Sequence, residues 1–156
     1  MSMEKLDAFL SCSFREEDKA VNRAFADLCA ALNIRCSNFD TGSVTIPSEA
    51  SKKELEGKSL LIAICTRRDE KKDGSYSTSG AVRSEIDFAY ALKIPIQLFI
   101  EEGVELAGFD HQYGTAVTFS RDNLSDLSEA QKIIKTLFRV REETLAGLGI
   151  SNGHSD

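Results

Sequence analysis

The sequence predicts an α/β fold: a five-stranded parallel sheet in the order 2-1-3-4-5 with helices on both faces. Three observations predict it. Short β-compatible runs alternate with segments of helical spacing along the chain, which is how a parallel sheet with crossover helices is written. Two of those runs, Ser59–Cys65 and Ile94–Ile100, are apolar at nearly every position, as central strands covered on both sides must be. The 156 residues supply one domain's worth of polymer, and 42% hydrophobic with 28% charged residues is an ordinary globular mixture.

The first strand is read at Asp7-Ala-Phe-Leu-Ser-Cys-Ser13. After it Val21, Ala24, Phe25, Leu28, Cys29 and Leu32 recur at intervals of three and four, marking an amphipathic helix. Ile34–Phe39 is a short second strand, and Asp40-Thr-Gly42 turns the chain into a polar loop reaching Pro47. A helix from about Pro47 to Glu56 follows, with Pro near its start and Gly57 at its end. The third strand, Ser59–Cys65, leads into the polar run Thr66–Ser79, which carries Arg67, Arg68, Lys71 and Lys72 and reads as a mobile lid or a floppy loop. A helix over Ala81–Leu92 feeds the strand Ile94–Ile100. Ala116–Phe119 is an edge strand, and the last helix starts near Asp126 or Ser128, where Ser128 and Gln131 have the spacing of a capping box. Its apolar positions are read as Leu127, Ala130, Ile134, Leu137 and Phe138. Residues 1–147 form the expected domain, and the small, polar residues 148–156 a flexible tail or the start of a linker. This organisation is flavodoxin-like, and such sheets bind ligands beyond the carboxyl ends of the strands, between the first and third.

Charge and cysteine usage narrow the function classes. Nineteen Lys and Arg against 25 Asp and Glu give a net charge of −6, the wrong sign for releasing counterions from nucleic acid. No apolar run approaches the ~20 residues of a membrane span. Cys12, Cys29, Cys36 and Cys65 lie far apart with no Cys-x-x-Cys pair, and His111 and His154 lack ligand-spaced companions. Reduced thiols in a cytoplasmic protein without a metal are expected.

One residue breaks the helical pattern of Ala81–Leu92. Projected at ~100° per residue, Glu85 falls between Leu92 and Ala89 inside the apolar arc, while Arg83, Ser84 and Asp87 take the polar side. Burying a carboxylate is costly unless it meets a partner or a ligand. Glu85 bends out to water, pairs with a nearby base such as Arg67, or serves a ligand, and it stands in the early turns of the helix after the third strand, at the ligand end of the sheet.

Asp7-Ala-Phe-Leu-Ser11 followed by Phe14-Arg-Glu-Glu-Asp18 resembles the first-strand motif of TIR (Toll/interleukin receptor) domains, notably the plant form with its Phe-Leu-Ser-Phe-Arg-Gly-Glu-Asp box. Leu32–Asp40 is similar to the second strand of that family, Gly42–Pro47 stands where its following loop does, and Ser59–Ile64 resembles its third strand. Ala81-Val-Arg-Ser-Glu85 lies where catalytic TIR domains carry Trp-x-x-x-Glu; here Ala81 replaces the Trp, and the chain contains none. Glu85–Pro95 also resembles a stretch of nucleoside deoxyribosyltransferases, which likewise set a glutamate beside a ribose. The resemblance implies an NAD nucleosidase in defence signalling, with NAD as substrate rather than cofactor, releasing nicotinamide and giving ADP-ribose or a cyclic isomer. It implies Glu85 as the catalytic carboxylate, with Ser13, Phe14, Arg15, Phe39 and Tyr76 around the nucleotide and the amides of Ser13–Arg15 near its pyrophosphate. It also implies self-association through the loop after the second strand, and a sensing or oligomerising partner or domain. The alternatives are a non-catalytic TIR adaptor and a deoxyribosyltransferase-like nucleotide-binding domain.

Overall fold

The computed structural model describes residues 4–37, 49–106 and 115–149. Its strands are β1 (Leu6–Ser11), β2 (Ile34–Ser37), β3 (Leu60–Cys65), β4 (Ile96–Glu101) and β5 (Thr115–Phe119); its helices are α1 (Lys19–Ala31), α2 (Glu49–Glu56), α3 (Gly80–Ala91) and α4 (Leu127–Gly147). All strand pairs are parallel and the sheet runs β2-β1-β3-β4-β5. The expected order is the observed one.

Period-two alternation sorts the side chains of the central strands into two cores. Leu60, Ile62 and Ile64 of β3 join Ala8 and Leu10 of β1 under α1 and α4, where Phe25 meets Phe99 and Phe119 at centroid distances of 4.9 and 5.1 Å. Leu61, Ala63 and Cys65 face the other way with Phe9, against Leu55 of α2 and Val82, Ile86 and Ala89 of α3. Every β3 residue is therefore buried, which accounts for its unbroken apolar run.

The differences from expectation are local. β1 ends at Ser11, its last partner being Ala63, so Cys12 and Ser13 already belong to the turn. β4 begins at Ile96, because the Ile94 amide closes the end of α3 on the Ala89 carbonyl and Pro95 has no N–H for a ladder. Helix α4 starts after Asp126, so Ser128 lies inside the helix and the capping-box reading fails. Its buried face is Ile133, Thr136, Leu137, Val140, Arg141, Thr144 and Leu145, while Leu127 and Phe138 are exposed. Two threonines and an arginine on the inner face hid it from a count of apolar residues. Cys36 lies in β2, an edge strand, and is half-buried where a cysteine within a covered sheet would be shielded.

The run after β3 is a hydrogen-bonded hairpin rather than a floppy loop. Backbone bonds Arg68 N–H to Ser77 O (2.8 Å) and Ser77 N–H to Asp69 O (2.9 Å) fold it into a hairpin. Tyr76 then pairs beside β4's exit: its N–H donates to Gly103 O at 2.8 Å and its carbonyl accepts from Glu105 N–H at 2.9 Å. A polar loop that satisfies its backbone through a neighbouring strand end is ordered despite its composition.

Candidate functional site

The carboxyl ends of β1 and β3 open where the strand order reverses, the position at which open α/β sheets hold ligands. Ser11 is the last residue of β1 and fully buried. Helix α3 begins nearby, N-capped by Ser79, whose hydroxyl accepts from the Val82 amide at 3.3 Å. Five residues into α3, Glu85 is 3% exposed and accepts a 2.6 Å hydrogen bond from the Ser11 hydroxyl. No cation within salt-bridge distance serves it among the described residues; Arg67, its suggested partner, donates instead to Glu102 O at 2.6 Å and through its amide to Glu101 at 2.8 Å. Burial pushes the Glu85 carboxyl up to about 7, against the opposing pull of the Ser11 hydroxyl. The carboxyl is thus poised between its two forms near neutrality, and among the described residues its negative charge is held by the Ser11 hydroxyl alone.

The residues after β1 are less open to a ligand than expected. Ser13 is buried; its hydroxyl accepts from the Arg15 amide at 3.3 Å and its carbonyl from Asn22 Nδ2 at 2.6 Å. Phe14 folds onto the core under α1. The Arg15 guanidinium pairs with Glu17. Glu16, Glu17 and Asp18 form the short 3-10 turn before α1, so the helix entrance expected to face a pyrophosphate carries three carboxylates. Tyr76 lies under the Arg67 guanidinium, 5.1 Å from ring centroid to charge, and against Gly103 on the β4 side. Its partners Arg67, Gly103 and Glu105 are not those of Glu85, which bonds to Ser11. Phe39 and the loop reaching Pro47 fall outside the described residues.

The sequence reading missed a second polar cluster at this end of the sheet. Arg121, just after β5, donates to Glu101 Oε2 at 2.6 Å, Glu101 Oε1 at 2.9 Å, Asp18 Oδ1 at 2.8 Å and the Glu17 carbonyl at 2.8 Å. Thr66, following β3, donates to the other Asp18 oxygen at 3.1 Å, and Thr78 donates to the Thr66 carbonyl at 2.7 Å. Burial works to raise the Glu101 carboxyl, but hydrogen bonds and charge from Arg121 and Arg67 prevail and hold it low. With Asp18 and Glu101 bridged by the Arg121 guanidinium, and Arg67 Nε a further 3.9 Å from Glu101, the cluster binds the exits of β3, β4 and β5 to the entrance of α1. The clue in the sequence was Glu101 at the end of an apolar strand; nothing marked Arg121.

Two concavities among the described residues are lined without Glu85 or Ser11. One of about 490 Å³ opens between Pro95, Ile96, Thr115 and the last turns of α4, and another of about 380 Å³ between α1 and the Arg121–Ser125 segment. Among the described residues no group of three His, Cys, Asp or Glu side chains could hold a metal, and no helix is long and apolar enough to cross a membrane.

No family model and no curated protein matches the chain. Among solved structures it is similar to the flavodoxin, WrbA-like protein from Agrobacterium tumefaciens, with a TM-score of 0.57 and 10% identity over 92% of this chain and 99% of that one. It is also similar to the Vibrio vulnificus NanR protein complexed with ManNAc-6P, with a TM-score of 0.52 and 14% identity over 89% of this chain and 50% of that one. Likeness at such identities is one of fold, and the fold is flavodoxin-like.

Proposed function

We propose that this chain is a TIR-type NAD nucleosidase, with NAD as substrate and Glu85 as its catalytic carboxylate. The observation that carries the reading is a buried glutamate at the switch point of the sheet, hydrogen-bonded to the end of β1 and without an ion-pair partner among the described residues. A carboxylate so placed is costly to the fold, and sites that act on ligands concentrate such groups. The order of motifs along Asp7–Glu85 supports the family reading.

The chemistry suits a lone carboxylate. The bond between the nicotinamide nitrogen and the anomeric carbon of NAD breaks with its electron pair passing to the nitrogen, so a cationic pyridinium leaves as a neutral molecule and no general acid is needed. Positive charge grows on the ribose, and a desolvated Glu85 carboxylate facing that oxocarbenium ion stabilises it more than the ground state. Water adding to the anomeric carbon gives ADP-ribose and releases a proton; attack by another atom of the same nucleotide gives a cyclic isomer. Ser11 fixes the Glu85 rotamer and helps to keep it ionised.

The absence of Trp, with Ala81 in place of the aromatic of the resembled pattern, favours a second reading, a non-catalytic adaptor. Incubation with NAD separates the two: the nucleosidase releases nicotinamide and loses that activity in Glu85→Gln, whereas an adaptor releases none.

A further inference from the structure

Cys29 and Cys36 are seven residues apart in sequence and lie on different elements. Cys29 sits in the last turn of α1; Asn33, with φ 63°, then reverses the chain, and β2 returns along the helix with Cys36 at its third position. Cys29 is fully buried in the core beneath α1, and Cys36 packs against that core from its half-exposed margin. The two thiols are hydrogen-bonded to each other. Cys65 faces the opposite side of the sheet.

We propose that Cys29 and Cys36 are a dithiol modification site that a hydroperoxide converts to an intramolecular disulfide. The two sulfurs have different parts. The hydrogen bond with Cys36 and burial both drive the Cys29 thiol upward, so it keeps its proton. Donation from Cys29 lowers Cys36; burial opposes this, and the Lys58 ammonium, itself 2.7 Å from Glu54, assists. Cys36 is therefore the more acidic of the two thiols, and it is the one that solvent reaches.

The Cys36 sulfur attacks one peroxide oxygen, forming an S–O bond as the O–O bond breaks; the sulfur is oxidised by two electrons, and the departing hydroxide takes a proton to become water. The Cys29 sulfur then attacks the Cys36 sulfenic acid. An S–S bond forms, the S–O bond breaks, and the Cys29 proton leaves with the hydroxide as a second water. The net change is two thiols and one peroxide to one disulfide and two waters. This site is independent of Glu85 and of the NAD reading.

The test is hydrogen peroxide treatment of the reduced protein freed of reductant, followed by alkylation of remaining thiols, intact mass and peptide mapping. The expected result is loss of ~2 Da, one Cys29–Cys36 cross-link and recovery of all four thiols with dithiothreitol. Cys36→Ser should form no disulfide, and Cys29→Ala should stop at a sulfenic acid on Cys36 that dimedone traps. The wild-type map and Cys36→Ser decide the matter if Cys29→Ala does not fold. A cross-link through Cys12 or Cys65, Cys36-linked dimers, sulfinic acid at Cys36 without a cross-link, or thiols untouched by peroxide would overturn the assignment.

Discussion

A glutamate that is 3% exposed, and that burial pushes up to about 7, couples stability to pH in one sense and, as the proposed catalytic carboxylate, would couple activity in the other. Its folded pKa lies above the ordinary glutamate value of 4.5, so its contribution to stability is fully present below 4.5 and is lost as pH rises through 7. Glu85→Gln removes that loss. Denaturant titrations at pH 5 and pH 8 should show the Gln variant gaining on the wild type at the higher pH, by up to about 3 kcal/mol at ~1.4 kcal/mol per unit of pKa. Nicotinamide release should instead rise with pH through a single ionisation near 7, because only the carboxylate stabilises the oxocarbenium ion, and it should be absent at every pH in Glu85→Gln. Ser11→Ala removes the one hydroxyl that lowers the Glu85 pKa and should move the midpoint of that profile to higher pH. An unmoved midpoint would mean that Ser11 plays no part in holding the charge. Glu85 was legible in the sequence because a carboxylate inside an apolar helical arc violates the pattern around it. Ser11 was not, since a small hydroxyl in a strand looks like any other strand residue until the fold shows what it faces. Tyr76 and Arg15 attracted attention by type and loop position, yet each is held by a partner elsewhere, Arg67 and Glu17 respectively.

At the scale of elements, the strands and helices were readable because burial on two faces leaves an apolar run and burial on one leaves a period of 3.6. Helix α4 shows where that breaks down. Its inner face carries Thr136, Arg141 and Thr144, and its outer face carries Leu127 and Phe138, so a count of apolar residues chose a stripe rotated away from the core. Leu127→Lys should therefore change stability by no more than ~0.5 kcal/mol, whereas Ile133→Ala should cost ~2–5 kcal/mol in thermal or denaturant unfolding. Comparable losses at both positions would place the buried face elsewhere. The connections between elements depend on Arg121. Its removal in Arg121→Ala leaves Asp18 and Glu101, with side chains 1% and 2% exposed, buried without their shared cation, and should cost ~3–5 kcal/mol. Gly103, at φ 96°, closes the same corner: an added Cβ would stand 3.2 Å from Arg67 Nε and 3.5 Å from the Tyr76 ring. Gly103→Ala should destabilise by ~1–3 kcal/mol through backbone strain and expose the Tyr76 amide to faster hydrogen exchange. These clamps were invisible in the sequence because their members are drawn from four separate connections.

For the molecule as a whole, sheet order and layering followed from the alternation of elements, while the site depends on which loops meet at the carboxyl edge. TIR resemblance implies that the loop from Asp40 to Pro47, outside the described residues, packs on a neighbouring copy and completes the nucleotide pocket. Phe14 lies on the core and Tyr76 beside Arg67, and in the proposed assembly a neighbouring copy would supply the aromatic wall next to Glu85. Specific activity should then climb with protein concentration or on fusion to an oligomerising partner. A value constant from dilute solution to the onset of scattering would rule out completion by a neighbour. The central claim is tested most directly by incubating concentrated wild-type protein and Glu85→Gln with NAD at pH 8 and following free nicotinamide by chromatography. Release by the wild type with none above background from a folded Gln variant is the predicted result; equal release by the two proteins, or none from the wild type at any concentration, contradicts it.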